Sequence, residues 1–391
     1  MLAHSPPLPL ILDYLEKRDL TAEDEDGILL TLRRCDRVRR IRLAIPPPNL
    51  RILAVIDGEF PILEYLFIVP TTTLNAALNT VLILPDTFQA PHLRHLILKG
   101  FTFPIGSPLL TITVGLVTLS LLPLLLSSYF HPNELAQQLS HLPQLEKLVI
   151  HFNSVNTRDV ERQLLNTPIV TRVTQLTLPN LRSVSYRGTN AYLEALLPRI
   201  KTPLIETFLI TFFYEREFSV PHLQQFLTTT ENLKFNSAVL KFHHKGLLAT
   251  FSPHKCGTAA LEMEVSSRIP DWQWQVSSTA QIFNALRAVS SAVECLSLVY
   301  IWIPLWHNVA SPTSWRDLLR PFSNMKRLRM DKALVRELSN SLRSEDGQSP
   351  TELLPELEAL EYPAIPGADD AFAAFNAARR NVSRPLSLIH T

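Results

Sequence analysis

One apolar spacing recurs along this chain and constrains its fold more than any other feature. In QLEKLVIHF, residues 144–152, apolar side chains stand at Leu145, Leu148 and Ile150, a spacing of three and then two residues. The same LxxLxL spacing, with substitutions, returns along most of the chain at a mean interval of 29 residues between Ile41 and Leu360. The further copies are Val38-Ile41-Leu43, Leu63-Leu66-Ile68, Leu93-Leu96-Leu98, Leu116-Leu119-Leu121, Val173-Leu176-Leu178, Ile205-Phe208-Ile210, Ser237-Leu240-Phe242, one ending Leu261-Met263, Val293-Leu296-Leu298, Met325-Leu328-Met330 and Leu357-Leu360-Tyr362.

The segments between these copies often carry apolar residues three and four apart, which is typical of amphipathic helices. Examples are RDVERQLLN, AYLEALLPRI, PHLQQFLTT, AQIFNALRAV, SWRDLLRPF and LVRELSNSLR. One strand and one helix repeated every 20–50 residues or so is typical of a solenoid, and LxxLxL is the spacing of leucine-rich repeats. Positions four and six of each copy then point into the core by strand alternation, and position one anchors the turn before the strand.

We therefore predict an α/β, irregular leucine-rich-repeat solenoid, curved, with parallel strands on its concave face and helices on its convex face. An ordinary α/β domain with repeated apolar strands is the alternative. The prediction is a single domain over residues 1–391 with about twelve irregular repeats. The triplet Leu181-Val184-Tyr186 stands too close to its neighbour to count as a full repeat.

Two segments are expected to differ from the repeats. Residues 1–35 are predicted to be an N-terminal capping region, in which Thr21 and Asp24 form a capping-box pattern. The acidic run AEDED there is predicted to be a solvated first helical turn, favoured by the helix dipole. The polar stretch 343–352 is predicted to be an exposed loop.

Composition excludes several classes of protein. Hydrophobic residues make up 46 % of the chain and the net charge is +1, so no global field indicates nucleic acid or membrane as a partner. The uncharged span Leu109–Phe130 is long enough to cross a bilayer, but Pro123 and the embedded triplet beginning at Leu116 favour a buried repeat. Three distant cysteines, none in a CxxC, and a start without a signal peptide indicate a cytoplasmic or nuclear location.

Several strings resemble those of a large family of basidiomycete fungal F-box proteins. They are MLAHSPPLPLILDYL, TAEDEDGILLTLRRCDRVRRIRL, FPILEYLFI, APHLRHLILKGF, VERQLLNTP, AYLEALLPRI and DWQWQVSSTAQIFNAL. The resemblance covers essentially the whole chain, from about His4 to Ile389. It implies irregular leucine-rich repeats that recruit substrates to a cullin-type ubiquitin ligase, whose adaptor subunit is held by an N-terminal F-box. In this family the F-box precedes the HSPPLPL stretch, which here follows Met1 almost directly, so the F-box itself is expected to be absent.

The sequence contains few motifs that indicate catalysis, nucleotide binding or metal binding. It contains no GxSxG, GxGxxG, GxxxxGK[ST] or HExxH motif. His92 and His95 straddle strand residues, and the group His243, His244, His254 and Cys256 lacks the paired spacing of zinc sites, so we predict no metal site and no cofactor. The tryptophan-rich stretches DWQWQV and IWIPLWHN are interpreted as packing residues, with a partner-binding patch as the alternative.

The strand face turned away from the core is the predicted binding surface. Positions three, five and seven of the copies carry more basic than acidic residues, although the whole chain is nearly neutral. Arginine clusters suit acidic or phosphorylated peptides through bidentate pairing. An accidental imbalance on an ordinary solvated face is the alternative. The candidate residues are Arg40, Arg42, Lys99, Lys147, Arg187, Lys241, Arg327 and Arg329, against the acidic Glu262, Glu264, Asp331 and Glu361.

Together these patterns predict a non-catalytic protein-recognition module rather than an enzyme. By resemblance, it is the substrate-recruiting repeat array of an F-box protein that lacks its F-box. The alternative is a stand-alone leucine-rich-repeat scaffold or inhibitor module with no ubiquitin link. The expected partner is a protein substrate, joined by the ligase adaptor subunit only if the full-length product carries an F-box. No nucleic acid and no membrane is expected to bind.

Overall fold

The computed structural model describes residues 8–15, 20–46, 52, 55–70, 82–102, 107–124, 130–153, 175–213, 218–243, 246–254, 260–266, 271–301, 310–343, 352–364 and 367–390. The chain divides into two compact units. The N-terminal unit comprises Met1–Gly188 and Ala195–Ile205, and the C-terminal unit comprises Thr189–Glu194 and Glu206–Thr391. The prediction of one domain over residues 1–391 stays a prediction, as does the capping role of residues 1–35.

Parallel strands form the sheet of the N-terminal unit. They follow one another in the order in which the chain supplies them, apart from two short pairs that lie outside this sheet. The strands of the main sheet are β1 (Leu10–Tyr14), β2 (Val38–Ile45), β3 (Tyr65–Pro70), β5 (His95–Lys99), β7 (Thr118–Leu124), β8 (Lys147–Phe152) and β10 (Ser183–Gly188). The short parallel pairs are β4 (Leu82–Ile83) with β6 (Phe101–Thr102), and β9 (Leu176–Thr177) with β11 (Ile200–Lys201).

The sheet of the C-terminal unit is mostly parallel but contains one reversed strand. Its strands are β12 (Thr207–Phe212), β13 (Ser237–His243), β14 (Gly246–Ser252), β15 (Leu261–Ser266), β16 (Cys295–Tyr300), β17 (Arg327–Met330), β18 (Ala359–Tyr362) and β19 (Ser387–His390). β15 pairs with β12, β14 runs antiparallel to both β15 and β13, and β16 then pairs with β13. Across the sheet, β15, β14 and β13 therefore lie in reverse chain order between β12 and β16, and β17 to β19 follow in chain order.

The helices fall between strands. They are α1 (Ala22–Leu32), α2 (Pro108–Ile112), α3 (Pro132–Leu139), α4 (Asn190–Leu196), α5 (Pro221–Thr229), α6 (Trp272–Ala285), α7 (Arg287–Ser290), α8 (Pro312–Leu319), α9 (Val335–Leu342) and α10 (Ala368–Asn381). The helical predictions for PHLQQFLTT, AQIFNALRAV, SWRDLLRPF and LVRELSNSLR are confirmed, and AYLEALLPRI is helical up to Leu196 before a 3-10 turn. RDVERQLLN lies outside the described residues.

Strand alternation buries the same positions of each repeat, as predicted. The side chains at positions four and six are buried, as in Leu96 and Leu98 or Leu148 and Ile150, each at most 2 % exposed. In the C-terminal unit they pack on helices: Phe208 of β12 meets Phe226 of α5, and Tyr362 of β18 meets Phe372 of α10, with ring centroids 5.5 and 5.3 Å apart. This buried layer supplies the main stabilising term, about 25 cal/mol for each Å² of apolar surface removed from water.

Position one anchors the turn through its backbone as well as its side chain. The N–H of Leu63 donates to the carbonyl of Phe60, three residues earlier, and Leu93 and Leu145 repeat the bond to the equivalent carbonyls at 3.0 and 3.2 Å. A proline follows the accepting residue in six of these turns, where its fixed φ suits the second position of a β-turn. These prolines are Pro61, Pro91, Pro143, Pro179, Pro203 and Pro355.

Position two links successive repeats. The carbonyl of Glu64 accepts from the N–H groups of Arg94 and His95 at 2.9 and 3.0 Å, and the carbonyl of Glu294 accepts from Lys326 and Arg327 in the same way. Most repeats thus satisfy their turn backbone with the preceding repeat.

Four details of the predicted repeats are wrong. The triplet at Leu181 supplies the sheet strand β10, whereas Leu176 lies in the short β9, because β10 is the strand in register with β8. The copy at Ser237 is displaced by two residues, since its register with β16 pairs Ala238 with Leu296. The sequence analysis also missed the reversed strand β14, whose apolar alternation resembles that of its neighbours.

The fourth error concerns the repeated helix. Among the described residues that connect β2 to β3 and β3 to β5 there is no α-helix, although Ile52 and Val55 are in 3-10 conformation, and Phe60 and Phe88 fill the core there with ring centroids 5.4 Å apart. The capping box of α1 is confirmed, with Asp24 N–H donating to Thr21 Oγ1 at 3.1 Å. Glu25, however, is buried, so the acidic run is not wholly solvated. Of the predicted loop 343–352, residues 344–351 lie outside the described residues.

Candidate partner-binding face

We define the open face as the outward strand surface of the N-terminal unit, formed by two rows of side chains that cross its parallel strands. Register places repeat position three in one row and position five in the other. Neighbouring strands are about 4.8 Å apart, so each row is a line of side chains at that spacing. The first row is Arg40, Tyr65, His95, Thr118, Lys147 and Ser183, and the second is Arg42, Phe67, Ile97, Ser120, Val149 and Ser185.

The first row is held together by stacking and hydrogen bonds. The guanidinium carbon of Arg40 lies 4.6 Å from the centroid of the Tyr65 ring, and the Tyr65 and His95 rings are 5.7 Å apart. His95 Nδ1 is 3.1 Å from Thr118 Oγ1. Among the described residues no hydrogen-bond partner reaches Arg40 Nε. That nitrogen is buried, so the aromatic face positions Arg40 while its Nε is not accessible to a ligand.

The second row is apolar at its centre. Phe67 and Ile97 lie side by side and are half-buried, as is Leu122 at the end of β7. At one end of the row, Arg42 donates to Asp13 of β1 at 2.8 Å, so its charge is already paired. The second row therefore has an apolar centre, with a charged residue at one end and the uncharged Ser185 at the other.

His151 lies on the same surface, at position seven of β8. Its Nε2 is 2.9 Å from Ser185 Oγ, and it pairs in register with Arg187. Burial lowers the pKa of His151 to about 4, and the positive charge of Arg187 adds to this effect. The imidazole is therefore neutral near pH 7 and adds no charge to the surface.

The predicted basic residues divide unevenly between the two units. Among the outward positions of the described strands, the N-terminal unit carries five basic side chains and one acidic one, Asp13. Its basic residues are Arg40, Arg42, Lys99, Lys147 and Arg187. Lys99 and Lys147 are exposed, and Arg187 is exposed beside His151. The basic excess predicted from the sequence thus belongs to this unit.

The outward strand face of the C-terminal unit has a mixed charge. Lys241, Arg327 and Arg329 lie there with four acidic residues, so the described positions carry no basic excess. Arg329 pairs in register with Glu361 of β18. Another acidic residue, Glu264, accepts from Thr211 Oγ1 at 3.2 Å. The predicted role of the three basic residues as part of a partner site stays a prediction.

The structure describes one of the two tryptophan-rich stretches, DWQWQV. The indole N–H groups of Trp272 and Trp315 both donate to Glu337 Oε2 at 2.9 Å. The two rings pack edge to face with each other and with Phe242, with centroids 4.9 to 5.8 Å apart. For Trp272, in DWQWQV, the packing interpretation is confirmed; Trp315 lies outside both stretches. The sequence analysis missed Glu337, whose place between apolar residues of α9 is its only sequence signal. IWIPLWHN lies almost wholly outside the described residues.

The histidine predictions can be placed as well. His92 is exposed in a turn, whereas His95 is half-buried in β5, so their surroundings differ as predicted. His243 and His254 are described, while His244 and Cys256 lie outside the described residues. Within the described part of the chain, no three histidine, cysteine or acidic side chains gather as metal ligands do. Nor does any helix there have the length and apolar character needed to span a bilayer.

Comparisons with known proteins give no family for this chain. No family model matches it, and no curated protein matches its sequence. Two similar solved structures contain repeats. One is the crystal structure of a TLR13–ssRNA13 complex, 13 % identical, covering 85 % of this chain and 38 % of that chain at a TM-score of 0.30. The other is the leucine-rich repeat-containing protein LegL7 from Legionella pneumophila, 10 % identical, covering 95 % of this chain and 98 % of that chain at a TM-score of 0.29.

Proposed function

We propose that this protein is a non-catalytic recognition module whose open face binds an acidic or phosphorylated segment of a protein partner. The observation that carries the proposal is the charge of the described outward positions in the N-terminal unit, five basic residues against one acidic residue. Arg40 is the central contact, because the Tyr65 ring holds its guanidinium on the open face, where arginine suits carboxylate and phosphate groups.

The finer form of the proposal is substrate recruitment for ubiquitin ligation. It is supported by the resemblance of the sequence to fungal F-box proteins, in which a repeat array binds the substrate. A stand-alone scaffold or inhibitor would use the same face. The two are separated by adding the captured partner to a reconstituted cullin-type ligase with the longest product of the gene. Ubiquitin transfer to the partner supports recruitment, and capture without transfer supports the scaffold.

The binding proposal is tested by selecting displayed random peptides on the purified full chain. We expect the enriched peptides to be acidic and to bind more weakly as salt rises, because exposed charges are screened. The double reversal Arg40→Glu with Lys147→Glu should weaken binding at least about ten-fold. The matched control is Arg327→Glu with Arg329→Glu in the C-terminal unit, which should change the affinity little.

Two results would overturn the proposal. One is enrichment of the same peptides on the Arg40 and Lys147 double variant. The other is tight binding of oligouridylate with no acidic peptide selected, since basic grooves with aromatic side chains also bind single-stranded RNA. Circular dichroism of each variant confirms that the sheet has folded, so that lost binding is assigned to the face.

A further inference from the structure

The arrangement of charged and apolar side chains on the open face restricts the conformation that a bound peptide can take. Arg40 lies at one side of the face on β2, and Lys147 lies on β8. Phe67 and Ile97 lie in the second row, on two of the strands between these charges, and Val149 of β8 is buried in the same row beyond Ser120. A partner that satisfies both features has acidic groups at two ends and apolar side chains in the middle.

We infer, on the basis of the proposed function, that the bound segment is an amphipathic acidic α-helix lying across the strands. An extended peptide on a sheet face cannot pair its backbone with strands whose own N–H and C=O groups are already bonded within the sheet. Its polar backbone would then rest on Phe67 and Ile97 without partners, which costs about 1–3 kcal/mol for each group. A helix satisfies its backbone internally and presents only side chains to the surface.

The spacing of the strands sets the length of this helix. Four strand intervals separate β2 from β8, through β3, β5 and β7, which is about 19 Å. An α-helix rises 1.5 Å per residue, so about 13 residues cover that distance. The two rows lie about 7 Å apart along the strands, within the roughly 10 Å diameter of a helix with its side chains.

These dimensions predict the pattern of the partner. Acidic residues stand about 13 positions apart, facing Arg40 and Lys147. Between them, apolar residues recur at i, i+3, i+4 and i+7 and cover Phe67 and Ile97. An acidic residue in the first turn of the bound helix is further stabilised by the helix dipole. No base, metal or covalent step enters this recognition.

The test compares two displayed libraries on the full chain. Both have peptides of about 16 residues, one turn longer than the predicted contact, and the second has proline fixed at its centre, which breaks a helix. We expect binders that depend on Arg40 and Lys147 to come from the first library and to gain helical circular dichroism when bound. Ile97→Thr and Phe67→Thr, which suit a strand, should each weaken them at least about ten-fold. Val299→Thr, on the outward face of the C-terminal unit, is the matched control.

Failure of this inference is distinct from failure of the proposed function. If the proline library yields binders of equal affinity that still depend on Arg40 and Lys147, the helix is refuted while an acidic partner stands. If binders from both libraries ignore Arg40 and Lys147, the proposed function fails and the inference fails with it. If selected helices bind equally well to Ile97→Thr and Phe67→Thr, the apolar centre has no role and the inference is overturned.

Discussion

The guanidinium of Arg379 lies in the core of the C-terminal unit, 1 % exposed, and is held by main-chain carbonyls. Its Nη1 donates to Leu354 O at 2.8 Å and its Nη2 donates to Leu357 O at 2.7 Å. Weaker bonds run from Nε to Arg384 O and from Nη2 to Pro355 O, at 3.3 and 3.4 Å. Arg379 thus ties α10 to the turn that precedes β18.

Replacing Arg379 with methionine removes these donors and keeps an unbranched apolar side chain. A hydrogen bond from a charged group is worth about 1.5–3 kcal/mol, so the two short bonds amount to about 3–6 kcal/mol. Removing the cost of burying a charge offsets part of this loss. We therefore expect Arg379→Met to lower the free energy of unfolding of the C-terminal unit by about 2–4 kcal/mol.

The assay is urea unfolding followed by tryptophan fluorescence, because all five tryptophans fall within residues 206–391. The matched control is Arg380→Met, the next residue on the same helix, whose side chain is exposed. It should change the free energy of unfolding by no more than about 0.5 kcal/mol. Equal destabilisation by the two variants, or a stable Arg379→Met, would refute the view that buried carbonyls depend on this guanidinium.

Three further predictions concern other positions. Gly246→Ala should destabilise the C-terminal unit by at least about 2 kcal/mol in the same urea assay, because its Cβ would lie 1.9 Å from the carbonyl oxygen of Val265. Gly27→Ala, with nothing within 4 Å, is the steric control in the N-terminal unit, and its unfolding is followed by circular dichroism because the tryptophans lie in the other unit. His151 has a folded pKa of about 4, below the unfolded 6.5, so the stability that it contributes is present above pH 6.5 and is lost as pH falls towards 4. Allowing for solvent screening, this pH-dependent stability is about 1 kcal/mol. Thermal melts at a series of pH values should show it for the wild-type protein and not for His151→Gln. Glu194 accepts the first N–H groups of α5 at 2.8 and 2.9 Å, so Glu194→Ala should cost about 1 kcal/mol in urea unfolding.

Much of the local fold could be predicted because each repeat satisfies local rules. Buried leucines at positions four and six follow from strand alternation, and the cap at Thr21 follows from its side chain and that of Asp24. The helices of the C-terminal unit follow from their apolar periodicity. What the periodicity does not specify is pairing, since β14 has the alternation of any half-buried strand and only its neighbours decide its direction. The same limit explains the two-residue displacement of the copy at Ser237.

The candidate site, too, could be predicted only where local strand alternation determines it. Alternation from the leucines was enough to place Arg40, Lys147 and the other basic residues on an outward surface. It could not show that Asp13 pairs with Arg42, because that contact requires β1 to lie beside β2 in register. Nor could it find Arg379, because the carbonyls of its two shortest hydrogen bonds lie 22 and 25 residues away and carry no side-chain signal.

The distribution of charge also bears on which surface a partner would choose. The net charge of +1 does not reveal the basic face, because it sums two units whose outward faces have different balances. In the C-terminal unit, the outward Arg329 of β17 lies beside Glu361 of β18, so a charged ligand there meets attraction and repulsion within one strand spacing. On the open face, Arg40 and Lys147 are both positively charged, so both attract acidic groups across a distance of about 19 Å. An acidic helix that binds the N-terminal unit is therefore expected to discriminate against the C-terminal unit by charge order, even though both surfaces are built on the same repeat.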